Sequence, residues 1–451
     1  MDMPAEVQLT FAPQSHWLDN NDNFSADGRF LCYDTRESIG PGIENGQTIE
    51  VLELTTGRSI VVYKPDRSIV GEKAAPGVGA VSFSLGGNEL AFIHGPLVDE
   101  VPVRGFYGKP NRNGARIRLD GEIVERNGAW HMFKDGRYSL SWIDKRDVAT
   151  DRDTIPGAHR GGTHRHEYCV TGTRIGFTYD DYLLTQYDRT IGYLEPHPDA
   201  PPSASHYFAV LVAVKPKGTS KAGELEKAYG DSWVDPSGTM RAFIGVVRCD
   251  DGISYQESLY VADIPPEVDV VTADSGSVDR FPSPPEGIGI RRLTHDWAGG
   301  IVRGAPDGTR IAYYGKDKAD RTQLFVIAAS GSDRSDIPEM RPRQVTFLEH
   351  GTEAGLRWLP SGNAVLSISD NGIVVTWVKE GPAYGKSLFL TLHGDGKDRH
   401  APVISPDGKW VAYNCPVKTY DNQGRHVKNY AGQDFIQIFK IPLPDLDETS
   451  F

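Results

Sequence analysis

The sequence predicts an all-β protein: a single β-propeller domain, residues 1–451, with seven four-stranded blades and an N-terminal strand that closes the last blade. Three observations support this prediction. The 49 glycines and 30 prolines are spread along the chain, as turns between short strands require. One strand–turn–strand unit recurs seven times. Finally, the two ends of the chain contain strands that can complete one sheet.

The repeated unit is a short strand, a polar turn and a second apolar strand. Its clearest copy is the seventh, where Ser405-Pro406-Asp407-Gly408 separates two apolar runs. Proline presets φ, aspartate caps its own backbone and glycine accepts a positive φ, so this segment favours a tight turn. The copies lie at 23–31, 82–90, 169–175, 233–243, 304–313, 357–366 and 402–413. Because a blade buries its faces only against neighbouring blades, these units predict a closed ring.

Closure of the ring is predicted from strands of the type Gln-Leu-Thr. They occur at 8–10, 292–294 and 344–346, and the last two follow another strand and a turn, as outermost strands of blades do. The N-terminal copy has no such predecessor, so we expect it to complete the last blade beside residues 436–441. The ranges 97–140 and 182–230 exceed the repeat and are expected to be insertions over a face. Residues 223–229 suggest a short helix within the second range.

Composition limits the classes of partner and compartment. The formal net charge of −13 argues against nucleic acid and against an anionic membrane surface. The N-terminus lacks the basic and apolar segments of a signal peptide, which predicts a cytoplasmic protein, although removal of a signal peptide would leave the same pattern. The cysteines, Cys32, Cys169, Cys249 and Cys415, have no CxxC spacing, so free thiols are expected.

Histidines are concentrated where a propeller places functional residues. In an antiparallel blade, the start of the innermost strand and the end of the next strand lie on the same face, around one mouth of the channel. Residues at these two places are His16, Arg36, His94, His164, His166, Asp180, Asp181, His295 and His400. We expect most of them around one rim, with Arg160 nearby. The alternative is chance placement on loops, where each histidine is solvated or caps a turn.

The segment Thr163-His164-Arg165-His166-Glu167 suggests a metal site. Two histidines at i and i+2 of a strand point to the same side, which suits two ligands of one ion, here His164 and His166. Imidazole together with carboxylate ligands predicts manganese, zinc, iron or nickel. The alternative is one buried, hydrogen-bonded histidine and one histidine near the channel.

Longer motifs indicate a family. They are residues 8–13 with His16 and 20–23, then 92–96, 157–166, 177–181 and 224–233. These segments resemble the YidR-like family, bacterial propeller proteins with a domain of unknown function. The repeats resemble the wider TolB-like propellers, and residues 163–167 are similar to a metal-site segment of oligogalacturonate lyases. That last likeness implies a manganese-dependent β-eliminating enzyme with His164 or His166 as a ligand. The following blade departs from the lyase pattern, because it opens with Glu224, Glu226 and Asp231 instead of glutamine and histidine.

Two functions remain open after these observations. The first is a carbohydrate-active enzyme, a metal-assisted lyase that acts on a uronate- or keto-sugar-containing oligosaccharide in the central funnel. β-Elimination needs a base, for which His94 is the candidate, and a cation that stabilises an enolate, for which Arg160, Arg36 or the metal is the candidate. Candidates for substrate binding are His16, Asp180, Asp181, His295 and His400. The second function is a non-catalytic TolB-like propeller that binds a protein or small ligand at the same rim.

Overall fold

The computed structural model describes residues 3–19, 21–37 and 42–451; Asn20, part of one family motif, lies outside these ranges. The chain is a seven-bladed β-propeller, which confirms the prediction from the repeats. It divides into two compact units. Unit 1 comprises Met1–Asn111, Ala115–Ser141 and Glu353–Phe451, and unit 2 comprises Arg112–Gly114 and Trp142–Thr352. Within the described ranges, no helix has the length and apolar character needed to cross a membrane.

The N-terminal part of the chain forms two blades. Its strands are β1 (Val7–Gln8), β2 (Phe30–Asp34), β3 (Ile49–Glu53), β4 (Arg58–Tyr63), β5 (Val78–Phe83), β6 (Glu89–His94), β7 (Asn113–Arg118), β8 (Glu122–Arg126), β9 (Ala129–Phe133) and β10 (Ser141–Trp142). One sheet has the order β2-β3-β4-β9-β8, and the next has the order β10-β7-β6-β5. The range 97–140, expected to be an insertion over a face, supplies β7, the β8–β9 hairpin and the short helix α1 (Val101–Arg104).

Unit 2 contains three antiparallel blades. Their strands are β11 (Gly162–Tyr168), β12 (Ile175–Asp180), β13 (Thr190–Pro196), β14 (His206–Val210), β15 (Leu225–Trp233), β16 (Met240–Arg248), β17 (Tyr255–Asp263), β18 (Gly289–Arg292), β19 (Ala298–Gly304), β20 (Arg310–Lys316), β21 (Thr322–Ala328) and β22 (Arg343–Gln344). Each blade contains four strands in sequence order. The helix expected at 223–229 is wrong. Residues from Leu225 onward form β15, because pairing with β16 and burial of Leu225 and Ala228 outweigh a weak helical pattern.

The C-terminal part of unit 1 forms the last two blades. Its strands are β23 (Arg357–Trp358), β24 (Ala364–Ser369), β25 (Gly372–Trp377), β26 (Ser387–Phe389), β27 (His400–Ile404), β28 (Trp410–Val417), β29 (Thr419–Tyr420), β30 (His426–Val427) and β31 (Phe435–Pro442). The last blade has the order β1-β31-β28-β27, with Val7 opposite Lys440 and Gln8 opposite Phe439. The predicted closure by the N-terminal strand is therefore confirmed.

A cluster of charged side chains, which we call the clasp, fixes this closure. Arg399 is fully buried and donates hydrogen bonds to Glu6 at 2.8 and 2.9 Å and to Asp395 at 2.8 and 3.0 Å. Lys397 donates to Glu6 at 2.9 Å, and the hydroxyl of Tyr413 also donates to Glu6. Burial by itself would raise the pKa of Glu6, but these donors lower it to about 2. The clasp therefore ties the N-terminal residues to the last blade.

The repeated turns have the chemistry that the sequence indicated. Asp407 accepts hydrogen bonds from the hydroxyl of Ser405 at 2.6 Å and from the backbone N–H of Lys409 at 3.1 Å, and Gly408 has a φ of 68°. Strands β5, β24 and β25 are buried at every position, as strands covered on both faces must be. Local sequence thus specifies the hairpin turns, and packing against neighbouring blades stabilises the sheets.

Candidate functional site

The innermost strands share an irregularity that the sequence analysis did not detect. In unit 2, the pairing of first and second strands shifts register between His164 and Glu167, between Tyr229 and Ser232, and between Gly299 and Arg303. The residue after the first of each pair has a positive φ: Arg165 at 60°, Gly230 at 65° and Gly300 at 71°. In unit 1, β5 and β27 have the same feature at Ala80, φ 54°, and Ala401, φ 46°. Such bulges bend a strand and redirect its side chains.

The bulge in β11 changes the geometry expected for the His-x-His pattern. His164 pairs with Thr178 and Glu167 pairs with Gly176, so the regular alternation of side chains is interrupted between them. Nε2 of His166 lies 3.0 Å from the hydroxyl oxygen of Thr163. Among the described residues, Nδ1 of His164 is buried and has no hydrogen-bond partner. The two imidazoles therefore belong to different surroundings, although only one residue separates them.

His166 belongs to a buried polar set, which we call the Asp144 cluster: Asn113, Gly114, Asp144, His159, Thr163 and His166. Asp144 accepts hydrogen bonds from the hydroxyl of Thr163 at 2.6 Å, from Nδ2 of Asn113 at 3.0 Å and from the backbone N–H of Gly114 at 3.0 Å. Nε2 of His159 and Nε2 of His166 lie 3.4 and 3.9 Å from the carboxylate.

The surroundings of Asp144 stabilise its charged form. Burial by itself would raise the pKa of Asp144, but His159 and His166 lower it far below its usual range. Asp144 has no exposed side-chain surface, so these contacts replace the water that an isolated carboxylate would need. The Asp144 cluster therefore joins residues 113 and 114 to β11 and has a structural role.

His164 belongs to a second set, which we call the His164 cluster: Arg112, His164, Arg165, Asp180 and Arg189. Asp180 ends β12, and its Oδ2 lies 2.8 Å from Nη2 of Arg189 and 3.5 Å from Nη2 of Arg112. The side chains of Arg189 and Asp180 are 20% and 18% exposed. His164 and Arg165 are half-buried, and Arg112 is buried. The cluster is therefore accessible from solvent on one side.

The His164 cluster is cationic, and its imidazole is neutral. Burial lowers the pKa of His164, and the guanidinium groups of Arg112, Arg189 and Arg165 lower it further, well below its usual value. The neighbouring buried network balances its own charges, because Arg241 bonds Asp231 at 2.6 Å and Glu167 at 3.0 Å, and Arg303 lies 3.9 Å from Glu167. Burial by itself would raise the pKa of Glu167, but Arg241, Arg303, Ser232 and Arg165 lower it, so Arg165 acts on that network as well. Three guanidinium groups therefore act on His164, and Asp180 contacts two of them, those of Arg112 and Arg189.

The predicted metal centre does not fit these residues. The carboxylate nearest to His166 is that of Asp144, which already accepts hydrogen bonds from three N–H and O–H groups. His164 is surrounded by guanidinium groups, which repel a cation. In the part of the chain that the structure describes, no group of three or more His, Cys, Asp or Glu side chains is arranged to hold a metal ion. These residues therefore favour an anion over manganese, zinc, iron or nickel.

Arg160 and Asp181, predicted to contact a substrate, form a buried anchor instead. Arg160 is fully buried; its Nε donates to Asp181 at 2.8 Å, and its Nη1 donates to the carbonyl oxygen of Ser277. Asp181 also accepts hydrogen bonds from the hydroxyl of Tyr179 at 2.9 Å and from the backbone N–H of Leu183 at 2.8 Å. These contacts favour a structural role for both side chains, although Nη2 of Arg160 is buried without a hydrogen-bond partner among the described residues. Their assignment to catalysis and substrate binding stays a prediction.

Arg36 and His94, the other two catalytic candidates, are also buried. Nε of Arg36 donates to Asp34 at 2.7 Å, and its Nη2 lies 3.2 Å from Asp19. His94 is hydrogen-bonded through both ring nitrogens: Nδ1 donates to the carbonyl oxygen of Gly95 at 2.6 Å, and Nε2 accepts from the hydroxyl of Tyr63 at 2.8 Å. Burial lowers the pKa of His94 to about 4. Burial and these hydrogen bonds favour a structural role for both side chains, and their catalytic assignment stays a prediction.

The remaining predicted histidines lie in separate places. His16 is buried 5.1 Å from the ring of Tyr33, and burial lowers its pKa to about 4. His400 is half-buried, with Nε2 2.7 Å from Asp398. His295 is half-buried, with Nδ1 2.8 Å from Asp333. His16, His94 and His400 belong to unit 1, and His164, His166 and His295 belong to unit 2; one shared rim stays a prediction.

Arg112 and Arg189 are the site residues that the sequence analysis missed. Arg189 stands next to the start of β13, and Asp180 ends β12, so ordinary hairpin pairing was a usable signal for their contact. Arg112 comes from a range interpreted as an insertion, 68 residues before Asp180. No pattern in the sequence brings those two residues together, so only the tertiary structure reveals that contact.

Comparison with known proteins confirms the family resemblance and the fold. Residues 77–200 match the model of a family described as "Protein of unknown function (DUF3748)". The chain is 28% identical over 439 residues to the uncharacterized protein YidR of Escherichia coli strain K12, which covers 91% of this chain and 94% of YidR. The resemblance to the YidR-like family that the sequence motifs indicated is therefore confirmed. All members of the Asp144 and His164 clusters lie within residues 77–200.

Two solved structures are similar to this chain at low sequence identity. Prolyl oligopeptidase B from Galerina marginata matches with a TM-score of 0.50 and 10% identity, over 97% of this chain and 52% of that chain. A putative TolB from Agrobacterium tumefaciens matches with a TM-score of 0.38 and 14% identity, over 88% of this chain and 98% of that chain. At these identities, the first match shows the propeller fold and nothing about activity.

Proposed function

We propose that this protein binds a small anionic ligand at the His164 cluster. The observation that carries the proposal is the concentration of guanidinium groups around a neutral imidazole: Arg112, Arg189 and Arg165 lower the pKa of His164, in addition to its burial, and Arg189 is partly exposed beside Asp180. Guanidinium groups hold carboxylates and phosphates through paired N–H donors, and those bonds are stronger than neutral hydrogen bonds. A ligand with a carboxylate would pair with this partly exposed cationic set. Uronate-containing oligosaccharides belong to this class of ligand.

The surroundings support binding rather than simple structural pairing. By comparison, Arg241 and Arg303 lie with Asp231 and Glu167 in a set whose side chains are all buried. In the His164 cluster, the partly exposed side chains of Arg189 and Asp180 leave solvent access. The neutral His164 can accept a hydrogen bond from a ligand hydroxyl or donate one to it, depending on its tautomer.

The test is calorimetric titration of the purified chain with galacturonate, its short oligomers and the uncharged parent sugar at low and high salt. We expect binding of the charged ligands that weakens as salt increases. Arg189→Gln should weaken binding at least about tenfold, the ratio that corresponds to one hydrogen bond to a charged group. The matched control is Arg291→Gln, which removes a similar pair with Asp263 on the outermost strand β18. Equal affinity of the wild type and Arg189→Gln for every charged ligand would contradict the proposal.

A second candidate function, the lyase, is supported by one observation: His164 is neutral beside guanidinium groups. In β-elimination, a base takes the proton next to the carboxylate, the C–H electron pair becomes a C=C bond, and the bond to the leaving oxygen breaks. The leaving oxygen then gains a proton. His164 would be the base, and Arg112, Arg165 and Arg189 would stabilise negative charge on the carboxylate.

The lyase candidate has its own measurement. We would follow the ultraviolet absorbance of the unsaturated product with oligogalacturonates as substrates, for the wild type and His164→Gln. Product formation that His164→Gln abolishes, with ligand binding retained, would support catalysis. Binding without any unsaturated product from the wild type would reject the lyase candidate and leave the binding function in place.

A further inference from the structure

A cavity lies between the last blade and the blade that contains β2, within unit 1. Its volume is about 460 Å³, in the range of about 300–1,000 Å³ that is usual for small-molecule sites. Its lining includes two turns, residues 26–28 and 405–407, which precede β2 and β28. The cavity shares no residue with the His164 cluster, which belongs to unit 2.

The register of the last blade explains which side chains reach the cavity. Ala412 of β28 pairs with Lys440 of β31, and Trp410 stands two residues before Ala412, so these three side chains lie on one face of the sheet. Ala412 belongs to an apolar cluster with Leu31 and Leu52 of the neighbouring blade. Trp410 and Lys440 therefore extend a face that packs against that blade, and both line the cavity.

The two turns at the cavity approach each other less closely than a comparable pair in unit 2. A Cβ on Gly308 would lie 3.2 Å from Cβ of Asp235 in the turn of the adjacent blade. A Cβ on Gly28 would lie 4.0 Å from Cδ of Pro406. The looser approach leaves the entrance of the cavity open between these turns.

The turn aspartates supply hydrogen-bond acceptors at this entrance. Oδ1 of Asp27 accepts from the hydroxyl of Ser25 at 2.6 Å and from the backbone N–H of Arg29 at 3.0 Å, and Oδ1 of Asp407 has the same role in its own turn. Oδ2 of Asp407 lies 3.8 Å from Nζ of the exposed Lys409. Both aspartates are exposed. Because the turns use Oδ1, Oδ2 of each carboxylate is able to accept a hydrogen bond from a ligand.

Trp410 and Lys440 supply an aromatic wall and a donor. The side chain of Trp410 is 37% exposed, and Nζ of Lys440 lies 4.2 Å from the centroid of its ring. Lys440 is half-buried, and within the described ranges it forms no ion pair. Its ammonium group therefore has N–H donors to offer to a ligand beside the indole.

We propose that this cavity binds a neutral sugar ring. The apolar C–H face of such a ring packs against Trp410, its hydroxyl groups donate to Oδ2 of Asp27 or Asp407, and they accept from Nζ of Lys440. Charge disfavours the alternatives. An anion would meet two carboxylates, and a cation would meet the ammonium group that already lies over the indole. Hydroxyl groups both donate and accept, so a neutral polyhydroxy ring suits both kinds of partner.

Fluorine NMR of the full chain labelled with fluorotryptophan tests this site, because Trp410→Phe identifies the resonance of Trp410. The probes are the methyl glycosides of glucose, galactose and mannose, together with maltose and cellobiose. Choline is the cationic comparison and galacturonate the anionic one. We expect at least one neutral glycoside to shift the Trp410 resonance saturably, and choline and galacturonate to leave it unchanged.

Two variants test the polar contacts while Trp410 remains as the reporter. Lys440→Met keeps the apolar stem and removes the donors, so it should weaken glycoside binding at least about tenfold, the ratio that corresponds to one hydrogen bond to a charged group. Asp407→Asn should weaken it as well. The matched control is Asp307→Asn, the same substitution in the turn before β20, where Oδ1 also accepts a backbone N–H. It should leave glycoside affinity within about twofold of the wild-type value.

Melting temperatures show whether each variant is folded. The inference is overturned if no glycoside shifts the Trp410 resonance, or if choline or galacturonate shifts it and the glycosides do not. It is also overturned if folded Lys440→Met and Asp407→Asn both bind the glycoside as tightly as the wild type. None of these outcomes bears on the His164 cluster, which Arg189→Gln tests separately.

Discussion

The Asp144 cluster and the His164 cluster both include residues of β11, yet one is a buried carboxylate with its hydrogen-bond donors and the other is a partly exposed set of guanidinium groups. In the Asp144 cluster, one buried carboxylate receives hydrogen bonds from Thr163, Asn113 and Gly114, and two imidazoles approach it. In the His164 cluster, the guanidinium groups of Arg112 and Arg189 contact Asp180, and the side chains of Arg189 and Asp180 remain partly exposed. One residue, Arg165, separates the two histidines.

The difference shows how to tell a structural polar cluster from a binding site. Buried polar groups that are fully paired stabilise one arrangement, because each group loses water only when a partner replaces it. A cationic set that is open to solvent is able to pair with an anion from outside the chain. Residue types alone would have ranked the Asp144 cluster, with two histidines and an aspartate, as the better site. Hydrogen bonding and solvent access reverse that ranking.

The largest expected effect is loss of stability in the Asp144 cluster. Asp144→Asn should lower the free energy of unfolding by about 3–5 kcal/mol, because it breaks a buried charge interaction and places an amide N–H among donors. Urea denaturation measures this change. As a control, Asp296→Asn alters an exposed aspartate and should cost less than about 0.5 kcal/mol. A decrease in the free energy of unfolding of less than about 1 kcal/mol for Asp144→Asn would contradict a structural role of this cluster.

The clasp of unit 1 provides an intermediate case, with paired charges near the surface. In the folded chain the pKa of Glu6 is lowered from 4.5 to about 2, so its stabilisation is fully present above pH 4.5 and is lost as the pH falls towards 2. Glu6→Gln should cost about 1–2 kcal/mol at neutral pH and should weaken the pH dependence in this window. Urea denaturation across the pH range is the measurement, with Glu349→Gln, an exposed position, as the control. An unchanged pH profile in Glu6→Gln would show that the clasp contributes nothing to stability.

The smallest expected effect on stability is in the His164 cluster. Arg189→Gln removes one of the two guanidinium groups that contact Asp180, and the Arg189 side chain is 20% exposed. We expect this substitution to change the free energy of unfolding by less than about 1 kcal/mol. An increase and a decrease both agree with this expectation, because the substitution also relieves repulsion between guanidinium groups. A loss of unfolding free energy as large as that of Asp144→Asn would mean that the His164 cluster also stabilises the fold. The distinction between the two clusters would then be wrong.

Much of the fold followed from local sequence, because the turn residues act over a few positions. Asp407 and Gly408 form the turn that their chemistry predicts, and the strand at Val7 closes the last blade beside Lys440. Two other expectations from the sequence failed. Residues 223–229 show a weak helical pattern, but strand pairing with β16 overrides it. The side-chain alternation expected for His164 and His166 is interrupted by a bulge in which Arg165 has a positive φ.

The sequence by itself determined the repeat, its number and the strand that closes the ring, since each depends on turn chemistry and on the period of buried positions. It also identified the segment from Thr163 to His166 as unusual. Only the tertiary structure decided what that segment does. It buries His94, Arg36 and Arg160 with their partners. It also brings Arg112 to Asp180, 68 residues away, so that several guanidinium groups act on His164. Charge balance in a folded chain depends on which distant groups meet, and local sequence does not contain that information.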